Sequence, residues 1–200
     1  GATLELNEKE LVDLATASLF ANIGFLEMSK KEFNRFLKNP DSEKEPINKH
    51  LDLFKKMTFD SKYLRKGSIV MGILDHHEYY NGNGYPNGKK KDEISLYGRV
   101  LHMAQEYDEL VGGYRDTAAM SPIASLKTIY ENKNEKLDPN ILEAFIHRTT
   151  YFKIGQKIVL SDNSIGKIVD FTDFLHYPHL PIVEVESGDK INLYESSERL

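Results

Sequence analysis

The hydrophobic period of this 200-residue chain changes once, near residue 151, and that change limits the folds open to it. Before it, apolar residues recur at the spacing of one helix face; after it they come in short β-branched runs divided by turn chemistry. Asn7 and Glu10 stand at capping-box spacing ahead of Leu11, Leu14, Ala15 and Leu19, with the small Ser18 on the same side, which predicts a helix whose buried face is that stripe. Ser29 and Glu32 form a second box before Phe33, Phe36 and Leu37. Residues 39–45 read as a loop, and Pro46 is placed to open a third helix carrying Leu51, Phe54 and Met57 on one face with His50 beside them.

A fourth helical pattern runs from Ser61 through Ile69, Val70, Ile73 and Leu74 into His76 and His77. Residues 81–88 (Asn-Gly-Asn-Gly-Tyr-Pro-Asn-Gly) then break it, because three glycines and a proline in eight residues cannot stay helical. Helical period resumes at Leu96, Val100, Leu101, Ala104, Tyr107 and Leu110; Ser121-Pro122 and Asp138-Pro139 each read as a capping residue plus an opening proline. Residues 157–160, 165–169, 181–186 and 190–193 are the β-type runs. The expected fold is therefore mostly α: a helical domain over 1–150 with a small antiparallel β subdomain over 151–200.

Composition removes several chemistries. With no cysteine there are no disulfides, thiolate zinc sites or cysteine nucleophiles, so a transition metal would have to be held by the seven histidines or by oxygen ligands. The formal charge of −5, from 26 basic and 31 acidic residues, makes nucleic acid a poor expected partner. The longest apolar run, residues 69–74, falls far short of the ~20 residues of a spanning helix, and no signal-peptide pattern leads the chain. No membrane insertion and a cytoplasmic location are the expectations. The Gly-Ala start, entering a helix almost at once, suggests part of a longer chain with an upstream domain.

The strongest local signal is His76-His77-Glu78 followed by the glycine-rich turn with Gly84, Tyr85 and Pro86. Consecutive residues on a helix diverge by about 100°, so adjacent histidines by themselves are a weak metal signal. The glycines, however, let the backbone turn close to whatever the imidazoles face, and Tyr85 can offer a ring or a phenol. A glycine-rich surface turn beside one buried histidine is the alternative.

Residues 76–88 closely resemble the His-His-Glu-x-x-Asp-Gly-x-Gly-Tyr-Pro signature of the HD-GYP family, metal-dependent phosphodiesterases of the HD superfamily that hydrolyse cyclic di-GMP. The helix from Gly98 to Leu110 resembles the family's next helix, Ser121-Pro122 with Ala124-Ser125-Leu126 fits the motif after it, and Leu11 to Phe25 fits the helix that carries the His-Asp-x-Gly-Lys motif. The resemblance covers about residues 5–150 and implies an HD-type helical fold, with His50, His76 and His77 aligned to metal-ligand histidines.

The departures are as informative. The namesake His-Asp pair falls on Ala21 and Asn22, the phosphate-contacting lysine on Phe25, and the later acidic ligand on Gln105. Of the basic stretch that grips the dinucleotide, only Arg115, one position out of register, is at hand. What remains is a three-histidine set able to hold one divalent transition metal (Zn, Fe or Mn) or none, and no dinuclear centre is expected. His102, three residues before Gln105, is a further ring on the same helix, and Asp108 is the best candidate rescue ligand. Glu106 and Glu109 are expected to face water, and Lys89-Lys90-Lys91 to be a solvated charge run.

The resemblance thus implies a catalytically degenerate module in bacterial cyclic di-GMP signalling. It would bind the dinucleotide through Gly84, Tyr85, Pro86 and Arg115, or a protein such as a diguanylate cyclase through the same loop. Two rival readings are an active phosphodiesterase with a reduced histidine site, and a structural or dimerisation domain without a ligand.

Overall fold

The computed structural model of the chain describes residues 1–38, 44–61, 63–113, 118–131 and 136–197. Among them are eight α-helices: α1 (Glu8–Phe20), α2 (Lys30–Lys38), α3 (Lys44–Asp60), α4 (Gly67–Asp75), α5 (Leu96–Gly112), α6 (Pro122–Glu131), α7 (Pro139–Tyr151) and the short α8 (Leu193–Ser197). Four strands, β1 (Lys157–Val159), β2 (Ile165–Phe171), β3 (Pro181–Val185) and β4 (Lys190–Asn192), form one antiparallel sheet in sequential order, with a register irregularity between Ile168 and Asp170.

The capping chemistry operates as the sequence predicts. The Asn7 side chain accepts from the Glu10 N–H while Glu10 accepts from the Asn7 N–H. Ser29 and Glu32 do the same at α2. Ser121 accepts from the Ala124 N–H, and Asp138 accepts from the Asn140 N–H with Pro139 at the first helical position. Each such cap satisfies donors that the first helical turn leaves unpaired.

Two apolar clusters share α5. One joins Leu14 and Ala17 of α1, Phe54 of α3, Ile69 and Ile73 of α4, and Tyr97 and Leu101 of α5. The other joins Met103 of α5 to Leu126 and Ile129 of α6 and Ile141, Leu142 and Ile146 of α7, with Phe174 and Leu175 of the β2–β3 connection packed against it.

The structure corrects four local expectations. On α1 the buried residues are Asp13, Leu14 and Ala17, whereas Ala15, Ser18 and Leu19 are exposed, Leu19 at 77%. Packing against α4 selects the Leu14–Ala17 edge, and Asp13 can be buried beside it because Lys66 pairs with its carboxylate. On α5 the buried face is Tyr97, Leu101, His102 and Met103, while Leu96 and Ala104 are exposed. The helix expected from Ser61 begins only at Gly67 and ends at Asp75, so His76 and His77 lie in the turn beyond it. Of the loop predicted over 39–45, Lys44 and Glu45 already belong to α3, which places Pro46 third in that helix, and residues 39–43 lie outside the described residues.

Candidate functional site

Five segments converge on one point: the 3-10 turn Ile23–Glu27 after α1, the start of α3, the end of α4, the glycine-rich loop, and the middle of α5. The turn reaches α3 because residue 24 is glycine; a Cβ there would lie 1.9 Å from the His50 carbonyl oxygen. This approach lays the Phe25 ring flat on the His50 imidazole, with centroids 4.3 Å apart and planes 9° apart. The loop closes the other side in the same way. The Tyr85 N–H donates to the His77 carbonyl oxygen at 3.0 Å, and the Tyr85 ring stacks on the His77 ring at 4.6 Å. Gly84 is sterically required, since a Cβ there would sit 2.1 Å from the Tyr79 nitrogen.

The three histidines meet between these two aromatic walls. His50 and His76 are fully buried, and a ligand nitrogen from each of His50, His76 and His77 lies within 4.8 Å of the others. His76 Nδ1 is 2.6 Å from the Ile73 carbonyl oxygen. A carbonyl only accepts, so Nδ1 carries the proton and Nε2 keeps its lone pair. His102 repeats the pattern behind it, with Nδ1 donating to the His76 carbonyl at 3.2 Å. Nε2 of His76, His77 and His102 is buried without a hydrogen-bond partner among the described residues. Burial pushes His76 down to about 4 and His77 well below its ordinary range, where the neighbouring His76 and His50 rings act in the same direction. Burial, reinforced by Lys136, likewise brings His102 to about 4. The rings are therefore neutral at pH 7, with lone pairs available to a metal.

An open pocket of about 400 Å³ adjoins the cluster, lined by Ser18, Ala21, Asn22, His76, Leu101, Ala104, Gln105 and Asp108. The fold thus gathers Ala21, Asn22 and Gln105 around His76, although they come from elements far apart in sequence. Among the described residues, Asp108 is the one carboxylate on this lining.

The family model described as an HD domain matches residues 1–141. The chain belongs to the HD domain family. It is 27% identical over 199 residues to the cyclic di-GMP phosphodiesterase PdeB of Borreliella burgdorferi, covering 98% of this chain and 52% of that protein. It is 23% identical over 167 residues to a cyclic di-GMP phosphodiesterase of Pseudomonas aeruginosa, covering 84% of this chain and 40% of that one. The chain therefore spans about half the length, or less, of these curated relatives. Among solved structures, a cyclic GMP-AMP-specific phosphodiesterase of Vibrio cholerae matches 72% of this chain and 39% of its own, at 24% identity and a TM-score of 0.49.

Within this HD domain several acidic and basic residues have duties the sequence alone did not reveal. Glu78 is buried and accepts from the Asn87 N–H at 2.7 Å and the Lys89 N–H at 3.0 Å, so it clips the glycine-rich loop to the end of α4. Asp75, fully buried, accepts from Lys89 Nζ at 2.6 Å and from the Ser95 N–H at 2.9 Å. Lys89 is accordingly a loop anchor and not part of a solvated charge run. Its sequence signal was weak, because a lysine in a triplet looks solvated until its buried partner is known.

Glu106 is half-buried, 4.0 Å from His102 Nε2 and 3.9 Å from Lys136 Nζ, and Glu109 is half-buried and accepts from the Gln105 amide at 2.8 Å. Neither simply faces water. His102 supports the backbone of His76 and stands outside the three-histidine group. Arg115, with the rest of residues 114–117, lies outside the described residues. Also among the described residues, no helix is long and apolar enough to cross a membrane.

Proposed function

We propose that this HD domain is a catalytically degenerate module that binds and relays, rather than hydrolyses, in cyclic di-GMP signalling. The names of its relatives support the ligand class. The loss of catalysis rests on one observation: the pocket beside His76 carries Ala21, Asn22 and Gln105 where a two-metal centre would need anionic ligands.

The magnitude is decisive. Two unit charges 4 Å apart repel by about 4 kcal/mol at an effective dielectric of 20, so two divalent ions repel by about 16 kcal/mol. Bridging carboxylates offset that cost in two-metal hydrolases. An alanine and two neutral amides do not. A single ion is a different matter, and the neutral, inward-facing nitrogens of His76 and His77, with His50 beside them, fit it. Bound there, it would supply positive charge for an oxyanion entering the pocket. Gly84, Tyr85 and Pro86, held by Glu78, would present a recognition surface for the dinucleotide or for a signalling protein such as a diguanylate cyclase, with Arg115 as a further ligand contact.

One observation favours a second reading. Asp108 lines the same pocket as His76, so an active phosphohydrolase could recruit it beside one metal. The test is chromatographic assay of cyclic di-GMP incubated with the purified chain and Zn²⁺, Fe²⁺ or Mn²⁺, alongside calorimetric titration of the dinucleotide. Saturable binding with no product above the metal-free blank is expected. Metal-stimulated hydrolysis that Asp108→Asn abolishes would establish the second reading in its place, and absence of both binding and turnover would leave a structural domain.

A further inference from the structure

The chemistry of the donor set reaches beyond the presence of a metal to its identity and to the residues that hold the rings ready for it. The inference rests on the reading of His50, His76 and His77 as a mononuclear site. Their three contributed atoms are all imidazole nitrogens, and among the described residues no carboxylate belongs to the group. Mg²⁺ and Mn²⁺ favour carboxylate, carbonyl and water oxygens, whereas imidazole suits the later first-row ions, whose affinity for nitrogen sites rises from Mn²⁺ towards Cu²⁺. The His76 tautomer is already set for coordination, with Nδ1–H on the Ile73 carbonyl and Nε2 turned away from it.

Two aromatic side chains bracket the set. Phe25 covers one face of His50 at 4.3 Å and Tyr85 covers one face of His77 at 4.6 Å. The His76 and His77 rings meet at 3.8 Å, and the two also meet His50 edge-on at 5.6 and 5.2 Å. Phe25 occupies the position where the family resemblance places a phosphate-contacting lysine. Here it contacts a histidine ring instead, and Gly24 permits that approach. Rings stacked in this way lose less freedom when they bind a metal, which is the means by which residues beyond the ligands themselves raise metal affinity.

We infer that His50, His76 and His77 form an all-nitrogen site for one Zn²⁺, Co²⁺ or Ni²⁺ ion in preference to Mn²⁺ and Mg²⁺, with Phe25 and Tyr85 as the positioning residues of its two outer rings.

The test uses the whole chain, stripped with chelator and titrated with each metal alone. Zn²⁺ is followed by competition with a chromophoric chelator, Co²⁺ by its visible absorption and Mn²⁺ by electron paramagnetic resonance. One Zn²⁺ and one Co²⁺ per chain are expected, with Mn²⁺ at least ~100-fold weaker. His76→Ala should abolish binding. Phe25→Leu should weaken Zn²⁺ by about 10–100-fold, the range for supporting residues of metal sites. Phe25→Tyr, which keeps the ring, should restore it, and the thermal midpoint of the metal-free variant reports whether it still folds.

Equal affinity for Mn²⁺ and Zn²⁺, two ions per chain, or no ion bound would overturn the site. Undiminished Zn²⁺ affinity in Phe25→Leu would overturn the positioning role. Hydrolysis of cyclic di-GMP by the Zn²⁺-loaded chain would refute the degenerate reading above while leaving this one standing, so the two fail separately.

Discussion

Acidifying the metal-free chain should unfold it through its buried histidines. Burial holds His76 and His102 at about 4, against an ordinary value of 6.5 in the unfolded chain. A ring whose folded value is depressed contributes stability that is complete above pH 6.5 and is lost as pH falls towards 4, because the unfolded state takes up its proton first. Each pH unit of that gap is worth about 1.4 kcal/mol, so each ring contributes about 3–4 kcal/mol and the pair about 7. His77 acts in the same direction. A domain with a net stability of roughly 5–15 kcal/mol would lose most of it across this window. Near pH 5 the two rings alone give a slope a little over ~2 kcal/mol per pH unit. Urea unfolding followed by circular dichroism, at half-unit pH steps in chelator, measures that slope. His102→Asn keeps a donor for the His76 carbonyl and removes one titrating ring, so its slope should fall by about one proton. Flat stability between pH 6.5 and 5, or an unchanged slope in His102→Asn, would refute the reasoning.

Four substitutions probe other links. Glu78→Ala removes the buried carboxylate that accepts from the part-buried Asn87 and Lys89 amides and should cost about 2–5 kcal/mol, read as a shift of the urea midpoint and as new proteolytic cleavage within residues 79–90. Gly24→Ala drives a Cβ into the His50 carbonyl and should cost at least ~2 kcal/mol in thermal or urea unfolding, because backbone on both sides cannot swing aside. Leu14→Ala should cost about 2–5 kcal/mol and Leu19→Ala less than about 0.5, a contrast that checks which face of α1 is buried.

Much of the candidate site was legible in the sequence because its signals are local. His76, His77 and the glycine-rich segment lie within thirteen residues, 76–88, and Gly84 is there because backbone occupies the space a Cβ would need. His50 stands out as a ligand only through the resemblance, which also aligns Ala21, Asn22 and Gln105 with ligand positions, and the fold gathers those three beside His76. The resemblance marks Phe25 only as the position of a phosphate-contacting lysine. The stacking of Phe25 on His50 depends on a backbone approach between segments 25 residues apart, which no local pattern encodes.

By itself the sequence determined the succession of helices and then strands, their caps, and the break at residues 81–88, since these follow from hydrogen bonding and steric limits within a few residues. Only the tertiary structure decided which helix faces are buried. α1 carries apolar residues around much of its circumference, so contact with α4 rather than intrinsic periodicity chose Leu14 and Ala17 over Ala15 and Leu19. It also decided which charges are structural. Asp75 and Glu78 can be buried only because Lys89 and the loop amides, brought round by the glycines, return to meet them, and that pairing exists only once the chain has folded.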